Sequence, residues 1–131
     1  MPAEDVVNAL HRIHAALVPG GLVVDTQPVS PDSWVTADGR ELGRLDMREW
    51  RAIIDEIDAL TFEVIDAGLF AIDDEREVVV ADTYDGGPEL VEIVGGWKGT
   101  RIPAELTGRL AGESGEVSVH QRIRLRLLRA R

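Results

Sequence analysis

Hydrophobic positions change their spacing several times along the chain, and each change marks an element. Val6, Leu10, Ile13 and Leu17 recur every three or four residues, which puts them on one face of a helix. The spacing predicts a helix over residues 2–18, with Pro2 in its first turn and Glu4 and Asp5 at the positive end of its dipole. Pro19-Gly20-Gly21 stops that helix. Residues 22–26 follow as a short β-branched run without alternation, which predicts a strand covered on both faces, as in a parallel sheet. Pro28 and Pro31 make the next stretch a loop.

Residues 33–45 read as a hairpin, turning at Asp38-Gly39 between Trp34-Val35-Thr36 and Glu41-Leu42. The longest helix is predicted over residues 46–68. Asp46 is placed to cap it, with Glu49 three residues on as in a capping box, and Gly68 stands at its end. Trp50, Ile53, Ile54, Ile57, Leu60 and Val64 form its apolar stripe. Residues 69–72 read as a short strand, Asp73-Asp74-Glu75-Arg76 as a turn, and residues 77–84 as a second strand with a Val78-Val79-Val80 centre. Two short helices, over 89–94 and 103–111, flank the turn Gly95-Gly96-Trp97-Lys98-Gly99. Within residues 116–128, Val117, Val119, Ile123, Leu125 and Leu127 alternate with Ser118, His120, Arg122, Arg124 and Arg126. That period predicts a strand with one apolar and one basic face.

Composition narrows the class. A chain of 131 residues forms one typical domain, here residues 1–131, and buries a core without staples. It contains no cysteine, which excludes disulfides and thiolate metal sites. No apolar run reaches the roughly 20 residues that span a bilayer, and the acidic N-terminal segment is unlike a secretory signal. These features predict a cytoplasmic protein that does not enter the membrane. The net charge is −10, unevenly spread: residues 1–120 hold nine Lys and Arg against 24 Asp and Glu, while residues 121–131 hold five Arg and no acid. An acidic body disfavours nucleic acid. The arginines of the last strand are expected to face acidic neighbours within the fold.

The segment Leu17-Val18-Pro19-Gly20-Gly21-Leu22-Val23-Val24-Asp25 resembles class I S-adenosylmethionine-dependent methyltransferases. In that family a helix ends in a Leu-x-Pro-Gly-Gly turn and feeds the fifth strand. The helix over 46–68 looks like the one after strand five, and the strands over 77–84 and 116–128 look like the antiparallel closing pair. The resemblance implies an α/β protein, the C-terminal half of a Rossmann-like methyltransferase fold, with a small mixed sheet, helices and that closing pair. The family's cofactor sits in a Gly-rich loop after the first strand, beside an acidic residue after the second. Neither has a position in this sequence, so the resemblance implies no cofactor and no methyl transfer by the chain alone.

Other candidate chemistry is sparse. His11 and His14 share a helix face but lack further ligands, and Asp73, Asp74, Glu75 and Glu77 lack the alternation of a calcium loop; no metal site is expected. Gly95-Gly96-Trp97-Lys98-Gly99 is not a phosphate loop, and reads as a glycine turn with Trp97 packed on the core. No catalytic constellation can be assembled. Ligands of open α/β sheets gather beyond the carboxyl ends of strands. There Asp25, Thr26 and Gln27 offer hydrogen bonds and Trp34 an apolar wall for a small molecule; the same residues can equally cap the local turn.

Without a fourth-strand neighbour, the strand over 22–26 would leave one backbone edge and its apolar side chains open. That predicts a homodimer or a partner chain. Three function classes follow: a noncatalytic methyltransferase-like interaction or ligand-binding subunit, one half of a split methyltransferase, or an unrelated α+β small-molecule-binding domain. In the last, hairpin and final strands would form a single antiparallel sheet around a pocket.

Overall fold

The computed structural model describes residues 3–131. Its elements are α1 (Ala3–Ala16), β1 (Leu22–Pro28), β2 (Trp34–Ala37), β3 (Arg40–Arg44), α2 (Arg48–Asp66), β4 (Phe70–Tyr84), α3 (Gly87–Gly95), α4 (Ala104–Ala111) and β5 (Val117–Ala130). The expected first turn at Pro2 lies outside the described residues. The fold is mixed α/β, with four helices and an open five-stranded sheet.

That sheet is antiparallel, not mixed as the sequence led us to expect. Its strands run in the order β1-β5-β2-β3, and β4 also pairs with β5. Hydrogen bonds fix the direction of β1 against β5. Gly20 N–H donates to the Ala130 carbonyl at 3.0 Å, Ala130 N–H to Gly21 at 2.8 Å, and Val29 N–H to Arg122 at 3.0 Å, so numbers rise on one strand as they fall on the other. β1 is not covered on both faces either. Val23 turns inward, whereas Leu22, Val24 and Thr26 are exposed. Lack of alternation in its sequence concealed an alternation in its burial.

A second correction concerns β4. The acidic stretch at 73–76 is no turn; it lies inside one continuous 15-residue strand. The cause is cross-strand charge. Asp73 meets Arg129 at 2.8 Å and Glu75 meets Arg126 at 3.2 Å, so carboxylates that alone favour a turn are held extended.

The contacts group into two compact units. One takes residues up to Gln27, then Ala52–Val78 and Arg124–Arg131; the other takes Pro28–Arg51 and Val79–Ile123. In the first, Val64, Phe70, Leu128 and Ala130 are the buried centre, and Val7, Leu10 and Leu17 of the α1 region pack on it. Ile13 of the expected stripe stays 37% exposed. Gly68 ends α2 at φ +88°, a conformation that costs other residues and suits glycine. The basic face of β5 is spent on acids here. Arg124 bonds Asp58 at 2.7 Å, and Arg126, almost fully buried, reaches Asp58 and Glu75 at 3.2 Å while lying over the Phe62 ring at 4.7 Å. His14 is also structural: its Nε2 sits 2.9 Å from the Arg131 carbonyl and its ring meets Phe70 edge-on.

The second unit has the larger apolar centre, including Val35, Leu42, Met47, Leu90, Leu110 and Val117. The hairpin forms as its turn residues predict, with Asp38 and Gly39 both at positive φ. β2 then pairs with β5 in the register Trp34↔His120, Val35↔Val119, Thr36↔Ser118. α3 and α4 close together because Gly87 has no side chain: a Cβ there would lie 1.9 Å from the Leu110 carbonyl oxygen.

Candidate functional site

The residues expected to hold a ligand fall in both units. Asp25 and Gln27 are brought together, the Gln27 amide donating to Asp25 Oδ1 at 3.3 Å. Asp25 Oδ2 is buried with no hydrogen-bond partner. Thr26 points outward and is exposed. Trp34 belongs to the other unit, where it is no open wall. Its ring stacks on His120 at 5.5 Å and 9°, and His120 Nε2 lies 2.8 Å from the Thr36 hydroxyl. The stretch after β1 contains Pro31 but no glycine, so it offers no cradle for a nucleotide-type cofactor.

β1 is the first notable surface. Among the described residues its single neighbour in the sheet is β5. Val18, Leu22 and Val24 are 73%, 49% and 61% exposed. Scattered apolar residues on a surface are ordinary, but these three flank one open backbone edge.

A cavity of about 440 Å³ in the second unit is the other. That lies within the range of small-molecule sites, roughly 300–1,000 Å³. It is built on the first turn of α2 and the turn after α3. Asp32 organises the former: its carboxylate accepts the Met47 N–H at 3.2 Å and the Arg51 guanidinium. Met47 is buried, and its sulfur accepts the Ser33 N–H at 3.3 Å. Asp46 accepts the Arg48 N–H at 3.1 Å, so the expected cap sits one residue further out, and Glu49 faces Arg101 at 4.0 Å instead of closing a capping box. Hydrogen bonds from the Arg48 side chain and then its N–H pull the Asp46 carboxyl down to about 2.

The turn after α3 is tied to this helix end by main-chain bonds. Asp46 and Arg101 exchange N–H···O bonds at 2.7 and 2.8 Å, and Trp50 N–H donates to the Gly99 carbonyl at 3.1 Å. Gly99 sits at φ +75°, and a Cβ there would come within 3.0 Å of the Trp50 nitrogen, so only glycine allows this approach. Trp97 is consequently not packed into the core as the sequence suggested. It is 40% exposed and, with Trp50, Met47, Val80 and Val119, lines the cavity. Asp82, Lys98, Thr100, Gln121 and Ser33 supply its polar groups. Tyr84, nearby on β4, has its hydroxyl pushed up, first by burial and then by the charges of Asp82 and Glu89. A second hollow, about 490 Å³, lies on the Glu49, Val91 and Ile102 side of the same turn and is lined mainly by polar surface.

Of these lining residues, sequence reading singled out only the segment holding Trp97 and Lys98. The signal was a tryptophan and a lysine fenced by glycines on both sides. Val80, Asp82, Val119 and Gln121 carry no such mark, since strand pairing alone gathers them. Among the described residues, no group of three or more His, Asp or Glu could hold a metal ion, and no helix is long and apolar enough to cross a membrane. Comparison with family models and with curated proteins yields no match.

Proposed function

We propose that this chain is a noncatalytic, methyltransferase-like interaction subunit that pairs along β1, forming a homodimer. One observation carries the reading: β1 has an unpaired edge flanked by the exposed side chains of Val18, Leu22 and Val24. An edge strand offers N–H and C=O groups to any strand that reaches it, and apolar neighbours add to the association. Two further observations support the resemblance behind it. The Leu-x-Pro-Gly-Gly turn leads from α1 into β1, and β4 and β5 pair as an antiparallel closing pair would. Light scattering at micromolar concentration tests the proposal. A dimer that Val24→Lys converts to monomer supports it; a wild-type chain that stays monomeric at about 100 micromolar, where any dimer tighter than about −5.5 kcal/mol would form, refutes it.

A second reading, an α+β small-molecule-binding domain unrelated to that fold, is favoured by one observation. The β2–β3 hairpin joins β5 in a single antiparallel sheet, on which the 440 Å³ cavity is built. A monomer that binds a small aromatic ligand would favour this reading over the first. Both readings expect S-adenosylmethionine to bind no more tightly than about 1 mM by calorimetry, for want of a ribose or phosphate cradle.

A further inference from the structure

We infer that the cavity between the first turn of α2 and the turn after α3 binds a flat aromatic zwitterion, a compound of the aromatic α-amino acid type. The inference stands whether or not the chain dimerises through β1.

Shape and chemistry of the wall specify the ring. Trp50 and Trp97 offer indole surfaces, Met47 a polarizable sulfur, and Val80 and Val119 aliphatic cover. Indole faces and thioethers favour another aromatic group over a branched aliphatic one. The volume holds a two-ring system with a short side chain.

Charge specifies the rest of the ligand. Lys98 and Asp82 both contribute to the wall, one cation and one anion. Neither forms an ion pair with the other or with any described residue. Elsewhere most arginines of this protein find a carboxylate: Arg40, Arg48, Arg51, Arg76, Arg124, Arg126 and Arg129 all do. A cation and an anion on the wall of one apolar cavity match a ligand carrying both signs. Lys98 would take its carboxylate and Asp82 its ammonium group, each by a charge-assisted hydrogen bond.

The wall is also pre-shaped. The Asp46–Arg101 bridge and the Trp50–Gly99 bond fix the segment bearing Trp97 and Lys98 against the helix bearing Trp50. Little ordering cost then remains to be met on binding.

Calorimetric titration of the full chain with three probes of one skeleton tests the assignment: L-tryptophan, tryptamine without the carboxylate, and indole-3-propionate without the ammonium. L-Tryptophan is expected to bind below 1 mM, and each analogue about tenfold or more weakly, the loss of one charged hydrogen bond. Lys98→Glu should make tryptamine the best of the three, and Asp82→Asn should bring indole-3-propionate level with L-tryptophan. Trp97→Ala, at a half-exposed position, should abolish binding of all three while circular dichroism stays unchanged. Absence of saturable heat from every probe at several millimolar, equal affinity for the three, or an unaltered order in Lys98→Glu would each overturn the assignment.

Discussion

Four residues, Val64, Phe70, Leu128 and Ala130, make the buried centre of the unit that contains α1 and β1, whereas eleven make that of the unit containing the hairpin, α3 and α4, counted among the described residues. The first compensates with charge. Its Arg124, Arg126, Asp58 and Glu75 form a partly buried network, and it leaves Val18, Leu22 and Val24 open. The second has the larger apolar centre and carries a concavity lined by Trp50 and Trp97. The difference teaches where each unit has chemistry to spare: an edge in one, a hollow in the other.

The comparison breaks most sharply at Gly87. Gly87→Ala drives a methyl group into the Leu110 backbone, and overpacking against main chain costs about 3 kcal/mol or more. Urea unfolding should record that loss, with hydrogen-exchange protection falling first in α3 and α4. Leu110→Ala should cost about 2–5 kcal/mol by the same measurement, through transfer and cavity terms in a fully buried site. In the other unit Arg126→Ala should cost about 1–2 kcal/mol, because Asp58 and Glu75 lose one of the two arginines they share and keep Arg124; that figure is set below a fully buried pair, since Glu75 is about half exposed. If Arg126→Ala proves neutral, charge does not compensate for the small core. Val24→Lys should leave unfolding within about 0.5 kcal/mol and alter association alone, which separates the open edge from the core beneath it.

The smallest effect concerns acid. The Asp46 carboxyl titrates near 2 in the folded chain against an ordinary value of 3.8. A depressed folded value contributes stability above the unfolded pKa, and that contribution is lost as pH falls through the interval from 3.8 to about 2. Asp46→Asn should therefore flatten the acid limb of the unfolding curve in that interval, with a small loss of stability at neutral pH that disappears below about pH 2.

Much of this architecture was legible in the sequence where local rules decide. Asp38-Gly39 gave the hairpin turn, the stripe from Trp50 to Val64 gave α2, and the alternation after Glu116 gave β5. It was illegible where distant partners decide. Asp73, Asp74 and Glu75 read as a turn because Arg129 and Arg126, more than fifty residues away, are invisible to a local window. The direction of β1 was misread for a similar reason: three consecutive apolar residues say nothing about which strand will lie alongside. Trp34 looked like a free wall and instead stacks on His120, a pairing set by strand register. The cavity was half visible. Glycines around Trp97 marked an unusual backbone, but the main-chain bonds to Asp46 and Trp50 that aim it outward left no trace in residue type.

Those same bonds have a consequence for how the protein can change. The segment from Gly95 to Arg101 is fastened through peptide groups, so the letters at 97 and 98 contribute nothing to its attachment. Natural or laboratory variation could rewrite both positions while the ribbon beneath them keeps its course.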